Sequence, residues 1–289
     1  MRLNQFNPNN INVRRVGGGG GGGMPGGRLG CGGLIVVLIG VLVFGVDPQQ
    51  MLGTVGQMSG GTATEQQQSN SGDSAQEVCS DNQYANEACN ALDSLNQTWA
   101  ARFQEAGIAN RFQPPSLAFL QSNDITTGCG AASAGMGPFY CPADQSIYIH
   151  TGFYDQLARM ANEGGDFARL YVIAHEYGHH IQTLTGISDR IRQMQQQNPG
   201  QQNQLQVRME LQADCYAGVW AGRNRNLIEP GDLEEGMNAA SAIGDDTLTG
   251  GRVSSENFTH GTSQQRMEAL RLGMQTADDN RCDSAYLPF

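Results

Sequence analysis

His175, Glu176, His179 and His180 fall within six residues of one another, in the stretch AHEYGHHIQ. The surrounding FARLYVIAHEYGHHIQTLTG carries apolar residues at Leu170, Ile173, Ala174, Tyr177, Ile181 and Leu184, a spacing that predicts a buried helix over 166–185. Residues four apart share a helix face, so the imidazoles of His175 and His179 point to one side. Two imidazoles so placed supply two corners of a tetrahedral zinc site, and Glu176 beside them can act as general base toward a metal-bound water. His180 is rotated by about 100° from His179 and cannot share the ion. It reads as polar packing or surface, Tyr177 as core, and His150, at the end of an expected strand, as structural or surface.

A catalytic zinc needs a third protein ligand and an open fourth position. Downstream, VRMELQADCYAGVWAGR predicts part of a second helix, over about 202–225, with Glu210 and Asp214 one turn apart. Glu210 can be the third ligand, and Asp214 can accept the outer N–H of a ligand histidine and fix its tautomer. Such an acidic pair usually marks a solvated face. Here it is flanked by Leu211, Ala213, Tyr216, Ala217 and Val219, which solvent exposure does not explain.

HEYGHHIQ followed by ELQADCYAGVWA resembles the HExxH…ExxxD pattern of glutamate-zincin, thermolysin-like metallopeptidases, and most closely the neutral zinc metallopeptidase family of bacteria. The resemblance extends to a glycine-rich basic N-terminus, an apolar segment after it, the YCPADQSIY stretch at Tyr140–Tyr148, and THGTSQQR. It implies peptide-bond hydrolysis, one catalytic Zn²⁺ on His175, His179 and Glu210, and Glu176 carrying the proton from water to the leaving amine. It also makes His260, in FTHGTS, the candidate oxyanion donor, since related membrane-associated zinc peptidases have a comparable Thr-His stretch before the last helix. An endopeptidase is expected over an exopeptidase. The other readings are a noncatalytic zinc-binding envelope protein on a peptidase scaffold, against which Glu176 argues, and an envelope scaffold with a fossil motif.

The elements that must position these residues begin with an expected disordered, basic, Gly-rich cytoplasmic segment, 1–28, holding four arginines, no acid and a glycine run at 17–23. Residues 29–46, LGCGGLIVVLIGVLVFGV, are long and apolar enough to span a bilayer. A cleaved signal peptide and a buried helix are the rival readings. The arginines before this segment place the N-terminus in the cytoplasm and the rest outside, as a single-pass membrane protein. Residues 47–74 read as a flexible linker, and 75–289 as an α+β, mainly α-helical zincin-like domain with a small β-sheet beside the HExxH helix. Helical spacing marks the stretch from Ala75 to about 107, then 151–162, 230–242 and 263–276. SLAFLQS and QSIYIHT read as strands, with residues 135–140 at a substrate-binding edge. The glutamine-rich run from Arg192 to Gln206 reads as an exposed connection.

Six cysteines follow the apolar segment, and none shows CxxC spacing. Fifteen pairings are possible; Cys79–Cys89, Cys129–Cys141 and Cys215–Cys282 are the expected ones, in an oxidising compartment. The net charge is −11, which disfavours nucleic acid as a partner and leaves a peptide or protein substrate. Oligomeric state is not encoded legibly.

Overall fold

The first two helices of the domain start where the sequence supplies side-chain caps. In the computed structural model, which describes residues 1–17, 73–161 and 164–289, helix α1 (Ala75–Cys79) follows Ser74, whose hydroxyl accepts from the Glu77 N–H while the Glu77 carboxylate returns to the Ser74 N–H. Asn82 caps α2 (Gln83–Glu105) by accepting from the Ala85 N–H, and α2 buries Leu92, Leu95, Trp99 and Phe103 at the expected spacing.

Strands then follow: β2 (Ser116–Leu120), β3 (Asp124–Thr127), β4 (Gly130–Ser133), β5 (Phe139–Cys141) and β6 (Ser146–Ile149). After them come α3 (Phe153–Met160), α4 (Asp166–Thr185), α5 (Ile187–Gln197), α6 (Gln202–Arg223), α7 (Asp232–Ala242), α8 (Asp245–Leu248), α9 (Ser263–Thr276) and α10 (Asp279–Tyr286). The fold is α+β and mainly helical, with β5 and β6 packed beside α4. Strands β3 and β4 pair with each other as a separate antiparallel hairpin.

The largest departure from expectation is at the N-terminus. Of the segment 1–28 expected to be disordered, residues 1–17 are folded onto the domain. Strand β1 (Asn12–Val16) pairs in parallel with β2, from Asn12 opposite Ser116 to Val16 opposite Leu120. The sheet order is β1-β2-β6-β5, parallel except for the β5–β6 pair. Met1, Phe6, Ile11 and Val13 are buried, and the Met1 α-ammonium sits 2.8 Å from Asp166 and 2.7 Å from Asp232. Arg15, which reads as part of a basic tail, pairs with Asp73 and Asp81. Burial of these apolar side chains and neutralisation of the charges offset the ordering entropy that composition alone suggests the segment cannot meet.

The proposed span at 29–46, and the linker up to residue 72, lie outside the described residues. Among the described residues no helix is long and apolar enough to cross a membrane.

A second correction concerns the glutamine-rich run. Most of it is helical: α5 buries Ile187 and Ile191 against Leu205 of α6, and only Asn198–Gln201 turns between the two helices. Glutamine is a good helix former, and two isoleucines one turn apart suffice to dock a short helix. Three disulfides form with the expected pairing, Cys79–Cys89 between α1 and α2, Cys129–Cys141 onto β5, and Cys215–Cys282 between α6 and α10.

Candidate metal centre

Helix α4 carries the HExxH stretch and is set by its ends. Asp166 in its first turn suits the positive end of the helix dipole and holds the Met1 ammonium, and Gly186, with φ +80°, closes the helix in the left-handed conformation that glycine adopts without strain. Between His175 and His179 lies Gly178. A Cβ there would fall 2.9 Å from the Cα of Ala213, so α4 and α6 cross at backbone contact. That crossing carries Glu210, one turn before Asp214 on α6, onto the face of His175 and His179.

The Glu210 Oε2 lies 3.2 Å from His175 Nε2 and 3.5 Å from His179 Nε2. Four ligands at zinc bond lengths, disposed tetrahedrally, stand about 3.3 Å apart, and both distances from Glu210 are close to that value. The three donor atoms all lie within 4.8 Å of one another. His175 and Glu210 are enclosed, whereas the His179 side chain is 17% exposed and leaves one side of the trio open.

Electrostatics favour a cation at this point. Burial opposes a charge on His175, yet Asp214 and Glu210 outweigh it and push its pKa up to about 10. Glu210 is held well below its ordinary value: burial would raise it, but His179, His175 and the nearby His260 prevail. Without a metal the trio therefore draws protons to balance its carboxylates, and a divalent cation can replace them. Glu176, the neighbour of His175, is pushed the other way, its pKa raised chiefly by burial, while the Tyr140 backbone N–H on β5 donates to its carboxylate.

Asp214 stands behind His175. Its Oδ1 is 2.7 Å from His175 Nδ1 and also accepts from the Tyr171 hydroxyl at 2.6 Å. Arg266 of α9 forks onto both oxygens of Asp214, at 2.8 and 2.9 Å, and reaches the Ile243 carbonyl at 3.1 Å. An ionised carboxylate only accepts, so His175 carries its proton on Nδ1 and turns Nε2 toward Glu210.

His260 is brought to the same site. Its Nδ1 is 3.0 Å from Asp245 Oδ1, and the backbone N–H groups of Thr259, His260 and Gly261 all donate to Asp245 Oδ2, at 2.8, 2.7 and 3.1 Å. Asp245 thus shapes the loop that presents His260, whose Nε2 is buried without a partner. His180 points elsewhere: its Nε2 donates to the Gln113 carbonyl at 2.6 Å and its Nδ1 accepts from the Tyr140 hydroxyl at 3.0 Å, which pins β5 to α4. Tyr177 is fully buried and donates to Asn96 Oδ1, and His150 Nδ1 accepts from the Gly152 N–H nearby.

The structure assembles His175, Glu176, His179, Glu210, Asp214 and His260 in one place. Sequence reasoning missed Tyr171, Gln182, Asp245 and Arg266. Tyr171 lies four residues before His175 and shares its helix face, a spacing that could have indicated it. Asp245 and Arg266 are lone polar residues whose partners are distant in sequence, and no pattern announces them.

The model of the family described as "Putative neutral zinc metallopeptidase" matches residues 2–285. The chain is 43% identical to the uncharacterized protein YpfJ of Escherichia coli K12 over 268 residues, 90% of this chain and 89% of that protein. It is also 43% identical to the uncharacterized protein Rv2575 of Mycobacterium tuberculosis H37Rv over 181 residues, 57% of this chain and 60% of that one. No solved structure matches it.

Proposed function

The chain belongs to the putative neutral zinc metallopeptidase family, and we propose that it hydrolyses peptide bonds with one zinc ion held by His175, His179 and Glu210. The observation that carries this reading is the placement of Glu210 Oε2 at 3.2 and 3.5 Å from the two histidine Nε2 atoms, with Glu176 adjoining. When bound, zinc supplies Lewis acidity toward the scissile carbonyl and acidifies the attacking water. Glu176, whose proton affinity burial has raised, takes the water proton and delivers it to the leaving amine. The Tyr140 N–H keeps the Glu176 carboxylate oriented. His260, held through Nδ1 by Asp245 with its Nε2 buried and unpartnered, is the residue placed to stabilise the developing oxyanion.

Substrate pairs as an extended strand along β5, which ends the sheet order and whose Tyr140 touches Glu176. An edge that receives extended backbone suits an endopeptidase. Three disulfides support an oxidising, extracytoplasmic compartment, and the apolar stretch 29–46 supports attachment to the membrane. The pairing of β1 with β2 supports residues 1–17 lying in the same compartment as the domain, in place of an N-terminus on the far side of a single span.

Digestion of an unbiased peptide library by the zinc-loaded protein tests the reading. Glu176→Gln should abolish cleavage, and His260→Ala should lower kcat with little change in KM. Stoichiometric zinc without cleavage in the parent protein would support the noncatalytic zinc-binding alternative instead.

A further inference from the structure

His175 has an acidic partner at its outer nitrogen, whereas His179 has an amide. His179 Nδ1 lies 2.9 Å from Gln182 Oε1. Gln182, the last residue of the AHEYGHHIQ stretch, is fully buried, and its Nε2 donates to the Met209 carbonyl at 2.8 Å and to Gln212 Oε1 at 2.9 Å. Gln212, equally buried, donates from Nε2 to Asp283 Oδ1 at 2.8 Å, and the Tyr216 hydroxyl donates to the same oxygen at 2.6 Å. Cys282, next to Asp283, is bonded to Cys215, three residues past Gln212, so α10 is covalently held where this line ends.

The line has a direction. An ionised carboxylate and a backbone carbonyl only accept, so Asp283 takes an N–H from Gln212, and Met209 and Gln212 each take an N–H from Gln182. The Gln182 oxygen is thereby turned to His179. That nitrogen must then donate, which leaves the Nε2 lone pair facing Glu210.

We propose that Gln182, backed by Gln212 and Asp283, is the positioning residue for His179, fixing its Nδ1–H tautomer before any metal arrives. The role rests on the reading of His179 as a zinc ligand. It makes the two ligand histidines differently held, one by the Asp214 carboxylate and the other by an amide line running to the C-terminal helix. Outer partners of this kind typically contribute 10- to 100-fold in metal affinity.

The test uses the full chain with ¹⁵N-labelled histidine, in three variants. Gln182→Leu removes the acceptor and should weaken zinc affinity, measured by chelator competition, at least tenfold; in the zinc-free protein, at a pH high enough to leave the His179 ring neutral, its ¹⁵N signals should shift from the Nδ1–H tautomer to a mixture. Gln182→Glu restores an acceptor at the same place and should return the Nδ1–H tautomer. Asp283→Asn should weaken zinc affinity severalfold, because Gln212 loses the carboxylate that orients it. Affinity and tautomer unchanged in Gln182→Leu would overturn the proposal, as would failure of Gln182→Glu to recover the tautomer. If Gln182→Leu does not fold, the other two variants decide: parent-like affinity in Asp283→Asn would overturn the proposed line, as would a lost Nδ1–H tautomer in Gln182→Glu. Absence of stoichiometric zinc from the parent would defeat the zinc reading alone, since the tautomer is read without metal.

Discussion

Replacing Asp214 by Asn separates two jobs that this residue performs at once. Asp214 is fully buried and neutralises Arg266, itself 2% exposed. Its Oδ1 also holds His175. Removing the charge leaves the guanidinium buried and unpaired, at a cost of about 3–5 kcal/mol. For a domain of this size that is about 6–20 °C in the melting temperature. The same change gives His175 Nδ1–H a neutral amide oxygen in place of a carboxylate, so zinc affinity should fall by about tenfold or somewhat more, or about 1.4 kcal/mol upward.

The double variant Asp214→Asn/Arg266→Met takes both charges out of the interior, and most of the stability should return because no charge is left unpaired. Affinity should not return, since the acceptor on His175 is still an amide. Melting is followed by circular dichroism on zinc-free protein, so that metal binding does not add to stability, and affinity by chelator competition. A zinc-free melting temperature unchanged in Asp214→Asn would refute the buried-pair argument, and affinity recovering together with stability would refute the separate role at His175.

Two further outcomes are expected. Burial holds the His180 pKa down to about 4, against an ordinary 6.5; above pH 6.5 the ring is neutral whether the chain is folded or not, and as pH falls toward 4 the unfolded chain takes up a proton that the folded protein refuses. The zinc-free protein should therefore lose about 3 kcal/mol of stability across that interval, read as denaturant midpoints, and His180→Gln should show a shallower decline; equal slopes would contradict it. Cysteines introduced at Asn12 and Ser116, whose side chains are hydrogen-bonded at 2.7 Å, should cross-link in cells, so that fragments cut at a protease site inserted between residues 47 and 72 stay joined until reduced; fragments that separate without reductant would place residues 1–17 away from the domain.

What was legible in the sequence was whatever local periodicity encodes. The helix over 166–185 and the two pairs His175/His179 and Glu210/Asp214 follow from a 3.6-residue repeat, and the disulfide pairing agreed with the expected one. Strand β1 was not legible, because Asn12–Val16 earns its place through β2, about a hundred residues away, and its arginines look like a tail until Asp73 and Asp81 are known to face them. Helix α5 was hidden by polar composition, and only its contact with Leu205 shows which side is buried. Asp245 and Arg266 act through partners that tertiary structure selects, and a single polar residue carries no period from which to infer it, whereas Gln182, three residues after His179 on the same helix, could have been read from spacing as Tyr171 could.

The central claim is tested most directly by zinc content and peptide cleavage measured on the same preparations of the parent protein and Glu176→Gln. The account predicts one zinc per chain in both and cleavage only in the parent; a Glu176→Gln variant that cleaves like the parent, or a parent that holds no zinc, would contradict it.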